Sequence, residues 1–467
     1  MPHKLPESPP LPHSPMSPVL PEISPEITAS PELQTKLKSS YSLCPECLTK
    51  VPMTVFERDG KVYLNKSCPT HGDEEVLLAS DSALYWNEDQ AAGPGCGTGC
   101  CSTNHSCSLI FEITEKCNLT CPTCFAGSSP EHTWHLPYDS FIDQLDRLLA
   151  NGKSSADMVS LSGGEPTVHP DLERMVEACF ERDIPKIYIN TNGVKLGTDP
   201  EFARRLARID AGRDRLQFYL QFDGFEEETY AKIRGAKGLL SIKRKAIKNL
   251  TDAGLFVLPV MTVTPGVNMH EIGAVWDLVR ENHPRMNTLL LQPAFYSGRY
   301  ENDRSERLTM SEVAHEVVRQ LDGVFTLDDF GPIPCSHPAC FGMAVALVHD
   351  GEIIPVSRYF PKFETWSEPD IADVVARFSD RLPTHMLQDI AEDALIEQLL
   401  DLLTGDEDSK NWADYENFIM IGIKPFMDAH SYDQDRIDRC CVHIVDRAGD
   451  PVSFCEYNAL RRPQGRL

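Results

Sequence analysis

The sequence predicts an α/β fold: a partial (βα)6 TIM-like barrel between an N-terminal metal-knuckle domain and a C-terminal cysteine-containing extension. Three observations carry this. Between residues 108 and 300, short aliphatic and β-branched runs alternate with amphipathic segments, the pattern of βα units on a parallel sheet. The sixteen cysteines fall in pairs and triplets, which reads as metal ligation in a reducing compartment and not as a disulfide framework. Outside that region the alternation stops, so separate segments flank the core.

Composition narrows the function. The 467 residues carry 44 basic and 70 acidic side chains, a net charge of -26, and such a field repels nucleic-acid backbones and anionic membrane surfaces. The N-terminus lacks the basic region and apolar core of a signal peptide, so the expected location is cytoplasmic. No apolar run approaches the ~18 residues that span a bilayer. A lipid substrate would therefore imply peripheral membrane contact.

Taken in order, residues 1–38 are a Pro- and Ser-rich tail without apolar periodicity, read as disordered. Residues 39–94 form the knuckle domain. Cys44-Pro45-Glu46-Cys47 and Cys68-Pro69-Thr70-His71 flank two alternating stretches joined at Asp59-Gly60, a hairpin that brings the knuckles together. Cys44, Cys47, Cys68 and His71 suit a tetrahedral zinc site; a later cysteine in place of His71 would make a rubredoxin-like iron site. Residues 95–107 hold Cys96, Cys100, Cys101 and Cys107 among glycines. These thiols are assigned to an auxiliary iron–sulfur cluster, with an extended zinc site as the alternative.

In the core, residues 108–300, Ser140 is positioned to cap a first helix carrying Phe141, Ile142, Leu145, Leu148 and Leu149 on one face. Strands are predicted at Leu109–Ile113, Met158–Leu161, Lys186–Ile189, Gln217–Leu220, Val257–Val263 and Thr288–Leu291, separated by helices such as Leu172–Arg182 and Ile242–Ala253. Cys179 sits on a helical apolar face and reads as a core thiol. Residues 301–467 form the extension, with acidic amphipathic helices expected at 369–403. Cys335, Cys340, Cys440, Cys441 and Cys455 lie there as further metal ligands. Nine cysteines remain after the first loop, the knuckles and Cys179 are set aside, enough for one or two auxiliary [4Fe–4S] clusters.

The chemistry centres on Cys117-Asn118-Leu119-Thr120-Cys121-Pro122-Thr123-Cys124, directly after the first core strand. Three thiolates on one loop hold three irons of a [4Fe–4S] cube and leave the fourth open; a zinc knuckle is the alternative on spacing alone. The second strand runs into Ser162-Gly163-Gly164-Glu165-Pro166, where glycines permit close backbone approach to a ligand and a carboxylate can accept from an ammonium. Asn192 and Gln221 with Asp223 follow the third and fourth strands, and Arg234 lies just beyond. Each of these four is equally at home in a turn or helix end.

The cysteine loop with Gly163-Gly164-Glu165 resembles the radical S-adenosylmethionine (SAM) superfamily. The resemblance implies that Cys117, Cys121 and Cys124 hold the cluster and that SAM chelates the open iron and is cleaved to a 5′-deoxyadenosyl radical. It also implies that Gly163, Gly164 and Glu165 contact the SAM amino group, that Asn192, Gln221 and Asp223 lie toward its ribose and carboxylate, that Arg234 pairs with the carboxylate, and that Gln292 and Pro293 face the adenine. The knuckles, the Gly-Cys segment and the tail from Arg439-Cys440-Cys441 to Cys455-Glu456-Tyr457-Asn458 are similar to the tetraether lipid synthase subfamily, members of which join lipid chain carbons and have also been described as methylating a reduced pterin. Adjacent Cys100 and Cys101 depart from that subfamily's C-x2-C step. The expected activity is C–C coupling of lipid alkyl chains, with methylation of a pterin or other small molecule as the alternative, and a ferredoxin or flavodoxin as reductant. An iron–sulfur electron-transfer protein without SAM chemistry is a third reading.

Overall fold

The computed structural model describes residues 35–85, 106–150, 157–300, 307–333, 337–349, 351–357 and 417–465. Cys96, Cys100, Cys101, Cys335 and the helices expected at 369–403 lie outside the described residues.

The N-terminal unit is a four-stranded antiparallel meander of β1 (Thr35–Leu43), β2 (Lys50–Arg58), β3 (Lys61–Cys68) and β4 (Gly72–Ala79). Asp59 and Gly60 take φ of 53° and 70°, the left-handed pair of a two-residue hairpin turn. Met53, Val55, Val62, Leu64 and Ala79 form its buried face. One boundary differs from the sequence reading. Strand β1 begins at Thr35, inside the segment read as tail, because Lys36 pairs with Phe56 and Lys38 reaches Asp433 and Asp435 in the distant C-terminal region.

The main sheet has eleven strands. Six are the predicted core strands: β5 (Ser108–Thr114), β6 (Met158–Gly163), β7 (Lys186–Thr191), β8 (Leu216–Gln221), β9 (Phe256–Val263) and β10 (Thr288–Pro293). They are mutually parallel and lie side by side in chain order. Beyond residue 300 come β11 (Gly342–His349), β12 (Glu352–Pro355), β13 (Phe418–Ile423), β14 (Val442–Val445) and β15 (Pro451–Ser453). Here the structure corrects the sequence: β13 pairs parallel with β10, and β14 pairs parallel with β5. The parallel sheet therefore recruits a strand from the extension at each edge. All six residues of β13 are buried, as expected for a strand covered on both faces; no local βα pattern announces it.

Helices α1 (Tyr138–Ala150), α2 (Leu172–Glu181), α3 (Val194–Thr198), α4 (Pro200–Asp210), α5 (Glu227–Arg234), α6 (Leu239–Asp252), α7 (Ile272–Glu281) and α8 (Met310–Gln320) connect and cover the strands. Helix α1 starts at Tyr138, so Ser140 lies within its first turn and does not cap it; Phe141 N donates to Pro137 O. Strand alternation divides the sheet's faces. Leu161, Ile187, Ile189, Phe218 and Leu220 enter the hydrophobic core shared with the helices. The other face carries Ser160, Ser162, Tyr188, Asn190, Gln217, Tyr219 and Gln221.

The meander docks on the C-terminal region through Lys66, which is 3% exposed. Its Nζ donates to Leu43 O at 2.7 Å, Ala429 O at 2.8 Å and His430 O at 2.7 Å. Burying an ammonium requires such a set of acceptors, and Glu74 adds a carboxylate at 3.2 Å.

Candidate active site and metal centres

The cysteine loop leaves the C-terminal end of β5, where parallel α/β folds collect their chemistry. Cys117 and Cys121 are each 8% exposed. Burial first, and then the charge of Glu165, push the Cys117 thiol up to about 12, so binding a metal must displace its proton. Leu119 N donates to Cys117 Sγ at 3.4 Å and Asn192 Nδ2 lies 3.9 Å from it.

The two glycines at the end of β6, Gly163 and Gly164, are required for a reason other than ligand approach. Gly163 has φ of 125°, and a Cβ there would stand 2.2 Å from Thr114 O; one on Gly164 would stand 2.3 Å from Lys116 O. Gly164 N and Glu165 N donate to those same carbonyls at 2.7 and 2.9 Å. The motif is thus stitched to the root of the cysteine loop. Glu165 is 1% exposed. Its Oε1 accepts from Thr167 N (3.1 Å), Thr167 Oγ1 (2.6 Å) and Thr191 Oγ1 (2.6 Å), and its Oε2 from Asn192 N (2.7 Å). Burial pushes the carboxyl up while these bonds pull it back. The carboxylate joins the ends of β6 and β7.

Asn192 completes the join to the loop: its Nδ2 donates to Asn118 Oδ1 at 2.6 Å. Asp223 and Arg234 are paired with each other instead of both standing open to a ligand. Arg234 Nε and Nη2 donate to Asp223 Oδ2 and Oδ1 at 2.7 and 2.6 Å, and Nη2 also reaches Thr262 Oγ1. With exposures of 5% and 0%, neither charge could be left alone. Burial opposes the guanidinium's charge, but Asp223 and then Cys121 hold its pKa raised. Gln221 closes β8 half-buried.

Sequence reasoning missed Lys243. Its Nζ donates to Asn192 O at 3.0 Å and Gln221 O at 2.5 Å, tying the ends of β7 and β8. Burial lowers its pKa to about 8. A signal was present: Lys243 occupies the stripe of Leu239, Ala246, Ile247 and Leu250 on α6, hidden inside the basic run Lys243-Arg244-Lys245. Thr167 and Thr191, which satisfy Glu165, lie within the stretches 162–167 and 190–193, but nothing local marks them as the carboxylate's partners.

The knuckle site is assembled. Cys44, Cys47 and Cys68 Sγ and a ring nitrogen of His71 all lie within 4.8 Å of one another. Cys44 Sγ and Cys68 Sγ are 3.4 and 3.6 Å from His71 Nδ1, and Cys47 Sγ is 3.9 Å from Cys68 Sγ. Ideal tetrahedral zinc with three sulfurs and one nitrogen gives about 3.6 and 3.8 Å for these edges. The donor set fits zinc, with His71 as fourth ligand. Replacing His71 with alanine is expected to take zinc from about one per chain to near none, read by metal analysis after gel filtration.

Neither the Cys117 loop nor the C-terminal thiols bring three ligand atoms within 4.8 Å; among the described residues the other such group is Glu226, His270 and Glu271. The Cys117 trio therefore does not have single-ion spacing. Its three thiols, with donors aimed at sulfur, fit an iron–sulfur cube. Such a cluster, when bound, would supply one-electron reducing power.

In the extension, Cys340, Cys440 and Cys455 come near one another. Burial raises Cys440 and the charge of Cys340 adds to it; burial pushes Cys455 up to about 12, aided by Cys440 and Cys340. Arg436 Nε donates to Cys340 Sγ at 3.3 Å and Met427 N to Cys455 Sγ at 3.3 Å. Cys441 and Cys107 meet through the backbone, Cys107 N donating to Cys441 O at 3.0 Å. Cys179 is fully buried, as a core thiol should be.

Comparison with known proteins places this geometry. Residues 111–279 match the Radical SAM superfamily and residues 36–80 the HMPTM N-terminal zinc ribbon domain. Over 487 aligned positions the chain is 28% identical to 7,8-dihydro-6-hydroxymethylpterin dimethyltransferase of Methanocaldococcus jannaschii, covering 91% of this chain and 94% of that protein. It is 29% identical over 171 residues to the subtilosin biosynthesis protein AlbA of Bacillus subtilis, covering 37% of this chain and 36% of AlbA. Among solved structures, Streptococcus suis SuiB bound to S-adenosylmethionine aligns with a TM-score of 0.38 and 17% identity, covering 47% of this chain and 48% of SuiB. The chain thus spans about half or less of the length of these last two. It carries a radical SAM domain at residues 111–279 behind an HMPTM-type zinc ribbon domain at residues 36–80.

Proposed function

We propose that the chain methylates a compact, flat, polar heterocycle of the reduced pterin class by radical SAM chemistry. The observation that carries this reading is the inner face of the sheet. Its β6 to β8 portion offers Ser160, Ser162, Asn190, Tyr219 and Gln221, not an apolar wall. Ser160 Oγ donates to Asn190 Oδ1 at 3.2 Å and Asn190 Nδ2 to Ser162 Oγ at 3.3 Å. Buried Tyr188 stacks against half-buried Tyr219 with centroids 4.4 Å apart, which leaves Tyr219 as the ring that a flat substrate could meet. Ser162, Asn190, Tyr219 and Gln221 keep partial exposure. Lipid alkyl coupling calls for a long apolar lining, which these residues do not supply. Whole-length similarity to the Methanocaldococcus jannaschii pterin dimethyltransferase supports the same reading.

In this reading Cys117, Cys121 and Cys124 would hold the catalytic cluster, and Glu165 and Lys243 fix the ends of β6, β7 and β8. The Cys340, Cys440 and Cys455 group is the proposed auxiliary cluster site, and a small reductant protein supplies electrons.

The test is an anaerobic reaction with dithionite, SAM and reduced hydroxymethylpterin, read by mass spectrometry. 5′-Deoxyadenosine and methionine from one SAM, with S-adenosylhomocysteine from a second SAM that gives up its methyl group, together with a methylated pterin, support the proposal. Deuterium transfer from a labelled lipid instead would favour alkyl coupling; no SAM cleavage by cluster-loaded protein with either substrate would favour electron transfer. Asn190→Leu is expected to raise the pterin KM about tenfold while the SAM Kd stays unchanged, checked by initial rates and equilibrium dialysis.

A further inference from the structure

We propose that Gly298 and Arg299, which no motif in the sequence marks, are the positioning element of the cysteine loop. The pair lies in the segment leaving β10. Arg299 Nε donates to Cys121 O at 3.1 Å, Nη1 to Gly127 O at 2.5 Å and Nη2 to Ser128 O at 2.6 Å, while its backbone N donates to Cys124 O at 3.0 Å. One residue thus gathers carbonyls from both ends of the stretch Cys121 to Ser128. Within that stretch the backbone makes two bonds of its own, Cys124 N to Cys121 O and Gly127 N to Cys124 O, each at 3.2 Å. A loop with so little internal bonding is held by what it packs against.

Gly298 is what lets the guanidinium arrive. Its φ is 64°, and a Cβ there would stand 2.3 Å from Phe125 O and 2.4 Å from Cys124 O. The two backbones are in contact, so any side chain would push Arg299 off the loop. Ser297 Oγ donates to Asn458 O at 3.2 Å, and Tyr296 N to Asp428 Oδ2 at 2.9 Å. The segment is therefore braced against the C-terminal region as well as against the loop, where Ser297 Oγ also lies 3.4 Å from Phe125 O. A planar fork reaching three carbonyls is a task for arginine; a lysine ammonium keeps the charge but is a compact point donor.

The inference rests on the assignment of the catalytic cluster to Cys117, Cys121 and Cys124, and its test separates the two. Full-length wild-type, Arg299→Lys and Arg299→Met proteins are reconstituted anaerobically. Each is reduced and examined by electron paramagnetic resonance with and without SAM, and SAM Kd is measured by equilibrium dialysis. Zinc content and thermal unfolding report the fold. Both variants are expected to keep zinc, to lose the SAM-dependent spectral change, and to bind SAM at least tenfold more weakly. If Arg299→Met does not fold, Arg299→Lys decides alone. Wild-type SAM affinity and spectral response in Arg299→Lys would overturn the positioning role of the fork. Absence of any SAM-dependent change in the wild type would instead overturn the cluster assignment.

Discussion

Replacing Cys121 with alanine is expected to abolish 5′-deoxyadenosine formation and leave zinc content intact. Cys121 lies between Cys117 and Cys124 on the loop, is 8% exposed, and feels the Arg234 guanidinium. Two thiols cannot hold three irons, so the cluster proposed for this loop would lose its support. The candidate zinc ligands Cys44, Cys47, Cys68 and His71 share nothing with the loop, so zinc should be retained. Product analysis and metal quantification on the same sample check both halves. Undiminished SAM cleavage would refute the cluster assignment, and loss of zinc as well would point to general misfolding.

The second large effect is expected at the buried ion pair. Arg234→Met leaves Asp223, at 0% exposure, with no cationic partner on the guanidinium side. Removing one member of such a pair costs about 3–5 kcal/mol. The double variant Arg234→Met with Asp223→Asn should recover part of that loss, since the amide carries no charge and no lone buried carboxylate remains. Denaturant midpoints for wild type, the two single variants and the double variant form the test. A loss below about 1 kcal/mol in Arg234→Met would mean that water reaches the pair. Because Thr262 N also donates to Asp223 Oδ1 at 3.2 Å, a large loss should be accompanied by local loosening between β8 and β9, visible by amide hydrogen exchange.

Much of this protein is written in local pattern. Alternating apolar runs and helical stripes are properties of neighbours in sequence, and they locate all six core strands. The Cys-x3-Cys-x2-Cys loop and the paired knuckles are equally legible, because short spacings constrain geometry before any tertiary contact forms. The turn at Asp59-Gly60 likewise needs only the left-handed preferences of its residues.

Tertiary structure decides what depends on distant partners. Strands β13 and β14 join the parallel sheet at opposite edges although neither follows a local βα unit, and β1 extends to Thr35 because Phe56 and Asp433 are there to meet it. The same holds within the site. Glu165, Asp223 and Arg234 are recognisable in the sequence as chemistry-bearing residues, but burial makes each one find an internal partner. Lys243 and Arg299 look like ordinary solvated cations until the fold places backbone carbonyls around them. The residue types and spacings available for metal and radical chemistry belong to the sequence alone; folding selects which charges can be buried, because that requires partners far apart along the chain.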